Sequence, residues 1–125
     1  MQEHIQISEA ELEVMKVLWQ QSEATSGQVI DGLKDKTAWK SKTIQTLLSR
    51  LVAKGAVSTQ QINGKNFIYR PIIKEDQYKM EATSHFLDRL YNGSLNILVS
   101  NFVKQKKLSK TEIEQLRQIL DEEEQ

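Results

Sequence analysis

The polar side chains between Ser41 and Lys54 are of the types that contact nucleic acid. They include amides, hydroxyls and cations but no carboxylate: Lys42, Thr43, Gln45, Thr46, Ser49, Arg50 and Lys54. Glutamine can pair with the edge of an adenine, and arginine with a guanine or a phosphate. Because solvated helix faces usually mix Glu with Lys, the absence of acidic residues favours a surface that meets DNA over one that is only hydrated.

The positive charge of the chain is concentrated in one segment. The 125 residues include 17 basic and 17 acidic ones, so the net charge is zero. Between Lys40 and Lys74 there are seven Lys or Arg and no Asp or Glu, whereas residues 75–125 contain seven basic and ten acidic residues. A local basic face is the electrostatic pattern of phosphate contact. On charge alone, a basic surface without a partner stays open as the alternative.

Hydrophobic spacing places the polar side chains on one face of a helix. Ser41 is a good N-cap, and Gly55 is typical of a helix C-terminus. The opposite face is apolar at positions i, i+3, i+4, i+7 and i+8, with Ile44, Leu47, Leu48, Leu51 and Val52. The sequence therefore predicts a third helix over about residues 41–54 with one buried and one polar face.

Two shorter signals predict the helices before it. Ser8 and Glu11 form a capping box, with Ile7 and Leu12 at the staple positions, and the first helix ends near residue 21. A second helix starts near residues 25–27 and ends in the polar run 34–37, and residues 38–40 form either a short strand or an extended link. The second and third helices can then form a helix-turn-helix pair.

A β-hairpin follows the third helix. Residues 57–62 and 66–70 have strand composition, and Asn63-Gly64 between them is a strong hairpin signal. Such a hairpin is the wing of a winged helix, and Asn63 and Lys65 on it can touch the DNA backbone or the minor groove. The predicted fold class is mainly α, a winged helix-turn-helix of three helices and a hairpin wing over residues 1–74, followed by a C-terminal three-helix dimerisation region.

The spacing of apolar residues over 75–125 predicts helices with apolar stripes. One helix is predicted over 75–91, a second is capped by Ser94, and a third follows a capping box at Ser109, before a frayed acidic tail over 121–125. The stripes of the last two helices comprise Leu95, Leu98, Val99, Phe102, Ile113, Leu116, Ile119 and Leu120. Since 51 residues are too few to bury three stripes alone, we expect a second copy of the chain to cover them. Folding back onto residues 1–74 is the alternative.

Several stretches in order along the chain resemble one known family. They include Ile7 to Met15 with Val17-Leu18-Trp19, Trp39 to Leu48 with Lys54-Gly55, Phe86-Leu87 with Leu90 to Gly93, and Leu98 to Phe102. The chain looks like the penicillinase-repressor family of Gram-positive bacteria over nearly its whole length. The resemblance implies a homodimeric repressor of β-lactamase-type resistance genes. A dimer is expected to prefer a palindromic double-stranded DNA operator. The resemblance also implies cleavage of the Asn101–Phe102 bond by a sensor-linked protease when antibiotic is sensed.

The expected site residues follow from the helix face, the wing and the resemblance. The predicted DNA contacts are Lys40, Ser41, Lys42, Thr43, Gln45, Thr46, Arg50, Lys54, Asn63 and Lys65. Copper-responsive members of the resembled family carry a C-terminal cysteine motif, and this sequence has no cysteine, so that branch is not expected.

The sequence carries no signal of catalysis, of a cofactor or of a membrane. No P-loop, nucleophile elbow or metal-ligand spacing occurs, so we expect no enzyme, no cofactor and no metal. The first four residues lack the basic and apolar stretches of a signal peptide, and no apolar run could span a bilayer, which predicts a cytoplasmic protein. Two other functions stay open: a winged helix that binds protein, and an effector-sensing regulator with a small-molecule pocket between its domains.

Overall fold

A computed structural model describes residues 5–124; residues 1–4, on which the signal-peptide argument rests, and Gln125 lie outside it. The elements in chain order are α1 (Glu9–Gln21), β1 (Ala24–Thr25), α2 (Ser26–Leu33), α3 (Ser41–Ala53), β2 (Val57–Asn63), β3 (Asn66–Pro71), α4 (Glu75–Tyr91), α5 (Leu95–Lys104) and α6 (Lys110–Glu123). The chain divides into two compact units within α4, with the first ending at Glu81 and the second starting at Ala82. The proposed domain boundary at 74/75 stays a prediction.

The first unit is a winged helix, as the sequence predicts. Helices α1 to α3 pack together and are joined by a three-stranded antiparallel sheet in the order β1-β3-β2. The two-residue strand β1 was not predicted: Ala24 pairs with Tyr69 and Thr25 with Ile68. A strand this short has no periodicity in the sequence, and only its pairing with β3 defines it. Residues 38–40 form an extended link and no strand.

Local capping explains where most helices begin. The Ser8 Oγ accepts from the Glu11 N–H, and the Glu11 carboxylate accepts from the Ser8 N–H, which confirms the predicted capping box. Ser94 caps α5, and Ser109 forms a second predicted box with Glu112. The predicted N-cap at Ser41 is wrong: Lys40 occupies the extended cap position, makes no side-chain cap bond, and Ser41 is already helical.

Apolar faces of the first three helices meet in one core. Val14, Met15, Leu18, Val29, Leu33, Ile44, Leu47, Leu48, Leu51 and Val57 are all buried there. Helices α1 and α2 approach closely at Gly32, where an added Cβ would lie 3.0 Å from Cγ1 of Val17. This core fixes the buried face of α3 and therefore which of its side chains face outward.

The start of α4 belongs to the first unit through an aromatic contact. The Trp19 Nε1–H donates to the Ile73 carbonyl at 2.9 Å, and the Trp19 and Tyr78 rings lie 5.8 Å apart. Burial raises the pKa of the Tyr78 hydroxyl, and the negative charge of Glu11 raises it further. Trp19 is thus a packing residue with a satisfied N–H.

The second unit has no buried residue among those described. Its helices α5 and α6 carry the predicted apolar stripes, but these lie exposed or half-exposed. Helix α6 continues to Glu123, so the prediction of a frayed tail from residue 121 is wrong for Asp121, Glu122 and Glu123. A strong capping box and continuous helical spacing carry the helix into the acidic run despite the charge at its C-terminal end.

Candidate nucleic-acid interface

Helix α3 presents its polar face to solvent over its whole length. Ile44, Leu47, Leu48 and Leu51 point into the core and are at most 5% exposed. Every predicted contact residue on the other face is exposed: Ser41, Lys42, Thr43, Gln45, Thr46 and Arg50. The structure therefore brings the predicted helix residues onto one accessible surface that carries no carboxylate.

The beginning of α3 leaves hydrogen-bond donors free. The Ile44 N–H is bonded to the Lys40 carbonyl at 3.2 Å, and no side chain caps the first turn. The backbone N–H groups of the preceding helical residues are therefore available to an acceptor from outside. Within the helix, the Thr46 hydroxyl donates to the Lys42 carbonyl at 3.0 Å, so it is already used.

The wing is a tight hairpin with an exposed tip. Asn63 pairs with Asn66 across it, and the two-residue loop between them begins with Gly64 at φ +54°, a conformation that glycine adopts at no steric cost. The Gln61 amide donates to the Gly64 carbonyl and holds the tip. Asn63 and Lys65, the predicted wing contacts, are both exposed there.

Most of the basic side chains between residues 40 and 74 have no anionic partner in the protein. Five of them are exposed and take part in no ion pair among residues 5–124: Lys40, Lys42, Arg50, Lys65 and Lys74. Arg70 is engaged, since it lies 3.5 Å from the Glu23 carboxylate and donates to Gln60 at 2.8 Å. Five unpaired cations on one compact unit favour the approach of a polyanion.

Lys54 has a structural partner that the sequence did not reveal. Its Nζ lies 2.5 Å from Oε1 of Glu11, whose side chain is 2% exposed, and it also donates to the Gln6 carbonyl at 2.8 Å. Burial raises the pKa of Glu11, but the hydrogen bond and charge of Lys54 and the bonds from Ser8 outweigh it, so the pKa lies below 4.5. The contact of Lys54 with a DNA phosphate stays a prediction, and in such a contact the phosphate would compete with the Glu11 carboxylate for the Lys54 ammonium group.

A shallow groove beside the wing adds residues that sequence reasoning missed. The start of α2, at residues 25–27, faces the wing across a space of about 470 Å³. Ile62 and Phe67 on the wing line it and are 49% and 41% exposed. The only sign of this groove in the sequence is the presence of two apolar residues on the predicted hairpin. The alternation of residues along the strands does not show on which side of the wing these two lie.

The residues expected to mediate dimerisation and cleavage lie in the second unit. Leu95, Val99, Leu116, Ile119 and Leu120 are exposed, and all five line a groove of about 540 Å³ between α5 and α6. Leu98 and Ile113 are half-buried. Asn101 and Phe102 are exposed within α5, where the Asn101 carbonyl accepts from Gln105 at 3.0 Å. The structure places all of them on α5 and α6.

No group of three or more His, Asp or Glu in the described part of the chain is arranged to hold a metal ion. Among residues 5–124, no helix is both long enough and apolar enough to cross a membrane.

The fold and this surface together define a winged-helix DNA-binding protein. The family model described as penicillinase repressor matches residues 7–122, and the chain belongs to that family. It is therefore a transcriptional repressor of the class that regulates antibiotic resistance, and not an enzyme.

Individual relatives match the sequence of this chain over nearly its full length. The penicillinase repressor of Bacillus licheniformis is 49% identical over 94% of this chain and 91% of its own length. The methicillin resistance regulatory protein MecI of Staphylococcus aureus is 38% identical over 93% of this chain and 94% of its own.

Solved structures match about three fifths of the chain. The solution structure of the DNA-binding domain of the repressor BlaI is 46% identical with a TM-score of 0.55, and covers 62% of this chain and 94% of that one. The B. licheniformis BlaI monomeric form in complex with the blaP half-operator has a TM-score of 0.53 at the same identity and coverage.

Proposed function

We propose that the chain is a homodimeric, sequence-specific repressor of β-lactamase-type resistance genes, which binds a palindromic operator and is inactivated by cleavage between Asn101 and Phe102. The observation that carries the DNA-reading part is the exposed face of α3, which is free of carboxylates and lies on the same unit as a wing with an unpaired cation. A relative of 46% identity has been solved with the blaP half-operator, which supports the same partner for this chain.

Helix α3 enters the major groove with its N-terminal half leading. Gln45 makes two hydrogen bonds to an adenine edge, and Arg50 contacts a guanine or a phosphate. Because the Thr46 hydroxyl is used inside the helix, its exposed methyl group is the part that can meet a thymine methyl. The uncapped first turn supplies backbone N–H groups to a phosphate, beside Lys40, Ser41 and Lys42.

The wing holds the protein in register on the duplex. Lys65 and Asn63 at its tip meet the sugar-phosphate backbone or the minor groove. These contacts contribute affinity that is similar for all sequences and that falls as salt rises, because bound counterions are released from the DNA. Specificity then rests on α3.

Two copies of the chain read two half-sites. The exposed apolar side chains of α5 and α6 support an interface with a second copy, because such stripes are rarely left in water. A two-fold symmetric dimer matches a palindrome whose half-site centres are one helical turn, or a multiple of it, apart.

Cleavage at Asn101–Phe102 separates the winged helix from α6. A protease needs an extended substrate, whereas both carbonyls are hydrogen-bonded at the end of α5. The Asn101 carbonyl accepts a helical bond from the Gln105 N–H at 3.0 Å, and the Phe102 carbonyl accepts a bond from the Lys107 N–H, beyond the helix end, at 2.9 Å. The end of α5 therefore has to unwind before the sensor-linked protease can cut. The detached winged helix keeps its core, all of which precedes Pro71, and loses the partner unit.

The test is a binding titration of the full chain on duplex DNA. Fluorescence anisotropy is measured on a duplex that contains the blaP half-operator in inverted repeat and on a scrambled duplex of equal length. We expect at least a hundredfold preference for the first at 150 mM salt. Equal binding to both duplexes contradicts sequence-specific repression, and no binding to either favours a winged helix that binds protein.

A further inference from the structure

Helix α6 carries charges of opposite sign at its two ends. The basic cluster comprises Lys104 at the end of α5, Lys106 and Lys107 in the link, and Lys110, the first residue of α6. The acidic cluster comprises Asp121, Glu122 and Glu123 in the last turn of α6 and Glu124 after it. All eight residues are exposed, and none of them takes part in an ion pair among residues 5–124. The two clusters therefore leave strong opposite charges unbalanced.

Apart from Glu112, which forms the capping box with Ser109, the charges at the two ends of α6 oppose the helix dipole. A helix has partial positive charge at its N-terminus and partial negative charge at its C-terminus. Lys110 is the first residue of α6, and the last turn contains acidic but no basic residues. Helix stability thus does not account for Lys110 or for the acidic cluster, whereas contact with another charged surface does.

The two clusters cannot neutralise each other within one chain. Helix α6 has 14 residues, and at a rise of about 1.5 Å per residue it is about 21 Å long. An ion pair needs the charged atoms within about 4 Å. The extended side chains of a lysine and a glutamate at opposite ends of α6 do not span that length.

An apolar stripe lies between the clusters. Ile113, Leu116 and Leu120 of α6 face Leu95 and Val99 of α5 across the groove of about 540 Å³. Leu116 and Leu120 are 39% and 62% exposed, so the groove lacks a cover in the single chain.

We propose that α6 of a second copy lies antiparallel along this groove, with a two-fold axis at Leu116 that brings the basic cluster of each chain to the acidic cluster of the other. The inference rests on the proposed homodimer and specifies its orientation and register. An isologous interface requires every contact to occur twice, and opposite charges at the two ends of one helix meet that requirement only in the antiparallel arrangement. With the axis at Leu116, Ile113 lies opposite Ile119 and Lys110 lies at the level of Glu122.

A charge exchange tests the orientation. One variant carries Lys106→Glu, Lys107→Glu and Lys110→Glu, and the other carries Glu122→Lys, Glu123→Lys and Glu124→Lys. In a homodimer of either variant, charges of the same sign meet at both ends of the interface and repel each other. Its dimer dissociation constant should therefore rise at least tenfold at 50 mM salt in sedimentation equilibrium. An equimolar mixture should form heterodimers as tight as the wild-type dimer, because both contacts are then attractive.

A cross-link tests the register. The chain has no cysteine, so a single introduced thiol reports on one position. Leu116→Cys should give a covalent dimer under mild oxidation, because the two copies of this position meet at the axis. Gln118→Cys, which is exposed on the opposite side of α6, is the matched control and should stay uncross-linked.

The outcomes separate this inference from the proposed function. A wild-type chain that sediments as a monomer overturns the homodimer and the inference with it. A wild-type dimer whose two charge variants dimerise normally, and mix without preference, leaves the homodimer standing and overturns the antiparallel charge contact. Cross-linking of Gln118→Cys in place of Leu116→Cys overturns the register.

Discussion

The Nζ of Lys54 lies 2.5 Å from the Oε1 of Glu11, and this ion pair joins the end of the DNA-reading helix α3 to the start of α1. The Glu11 carboxylate also accepts from the Ser8 N–H at 2.9 Å, so one buried group both caps α1 and holds α3. A buried carboxylate needs such partners because an unpaired one is costly to remove from water. The pair therefore fixes the position of α3 on the core.

Replacement of Lys54 tests this structural role. Lys54→Met keeps the apolar stem but leaves Glu11 without its cation. Since Lys54 is still 35% exposed, we expect a loss of about 2 kcal/mol in the free energy of unfolding, below the full cost of breaking a buried pair. Urea denaturation measures it. Lys42→Met, at an exposed and unpaired position, is the control and should change stability by less than about 0.5 kcal/mol. If Lys54→Met leaves stability unchanged but weakens binding to all DNA, the main role of Lys54 is phosphate contact and the structural role is wrong.

The same pair predicts a dependence of stability on pH. The folded pKa of Glu11 lies below its ordinary value of 4.5, so its contribution to stability is present above that value and is lost as the pH falls through the folded pKa. Glu11→Gln removes the charge, while glutamine still suits the capping box. The stability advantage of the wild-type chain over Glu11→Gln should be constant near pH 7 and should shrink below pH 4.5 in urea titrations. A difference that stays constant down to pH 3 contradicts the assignment.

The two parts of the proposed interface should respond differently to substitution. Gln45→Ala removes a base contact and should cost about 1–3 kcal/mol on the operator, with little change on random DNA. Lys65→Ala removes a phosphate contact and should weaken binding to both DNAs alike, with the slope of log K against log salt reduced by about one unit. Anisotropy titrations at several salt concentrations measure both effects. Equal losses on the two DNAs for Gln45→Ala would remove Gln45 from the reading residues.

The dimer should depend on the apolar stripes of the second unit. Leu98→Asp with Leu116→Asp places charge in the proposed interface and should yield monomers in sedimentation, because the unpaired carboxylates lose their hydration. The first unit contains neither position, so the far-ultraviolet circular dichroism of its helices should persist. A double variant that remains dimeric at low micromolar concentration contradicts the location of the interface.

Cleavage should remove the advantage of binding two half-sites at once. The fragment 1–101 represents the product, and on a full operator its affinity should fall at least tenfold below that of the intact chain, since the second contact is no longer intramolecular. On a single half-operator, fragment and intact chain should bind within about threefold of each other, because both use the same winged helix. If the fragment still dimerises and binds the full operator as tightly as the intact chain, the proposed switch is wrong.

Local sequence signals were sufficient for most of the fold. The capping boxes at Ser8 and Ser109, the apolar face of α3 and the Asn63-Gly64 turn depend on neighbours within a few residues, and the structure confirms each of them. The prediction that Ser41 is the N-cap of α3 was wrong. Serine is favoured at N-caps in general, whereas here the extended link places Lys40 at the cap position.

Features that depend on contacts between residues far apart in the chain could not be predicted from local sequence patterns. Strand β1 exists through its pairing with β3, more than forty residues away. Glu11 was recognised as a capping residue, but its burial and its bond to Lys54, 43 residues on, follow only from how α1 and α3 pack. The roles of the exposed α3 residues rest on their chemistry, and DNA binding by each of them stays a prediction.

Selection of binding sites from random duplex DNA tests the central claim most directly, that this chain reads DNA sequence through α3 as a dimer. With the full chain, we predict enrichment of an inverted repeat whose half-site centres are separated by about 10–10.5 base pairs or a multiple of it. With Gln45→Ala, the same repeat should lose its preference at one position in each half-site. Recovery of no common sequence, or of a single unrepeated element, would contradict the account.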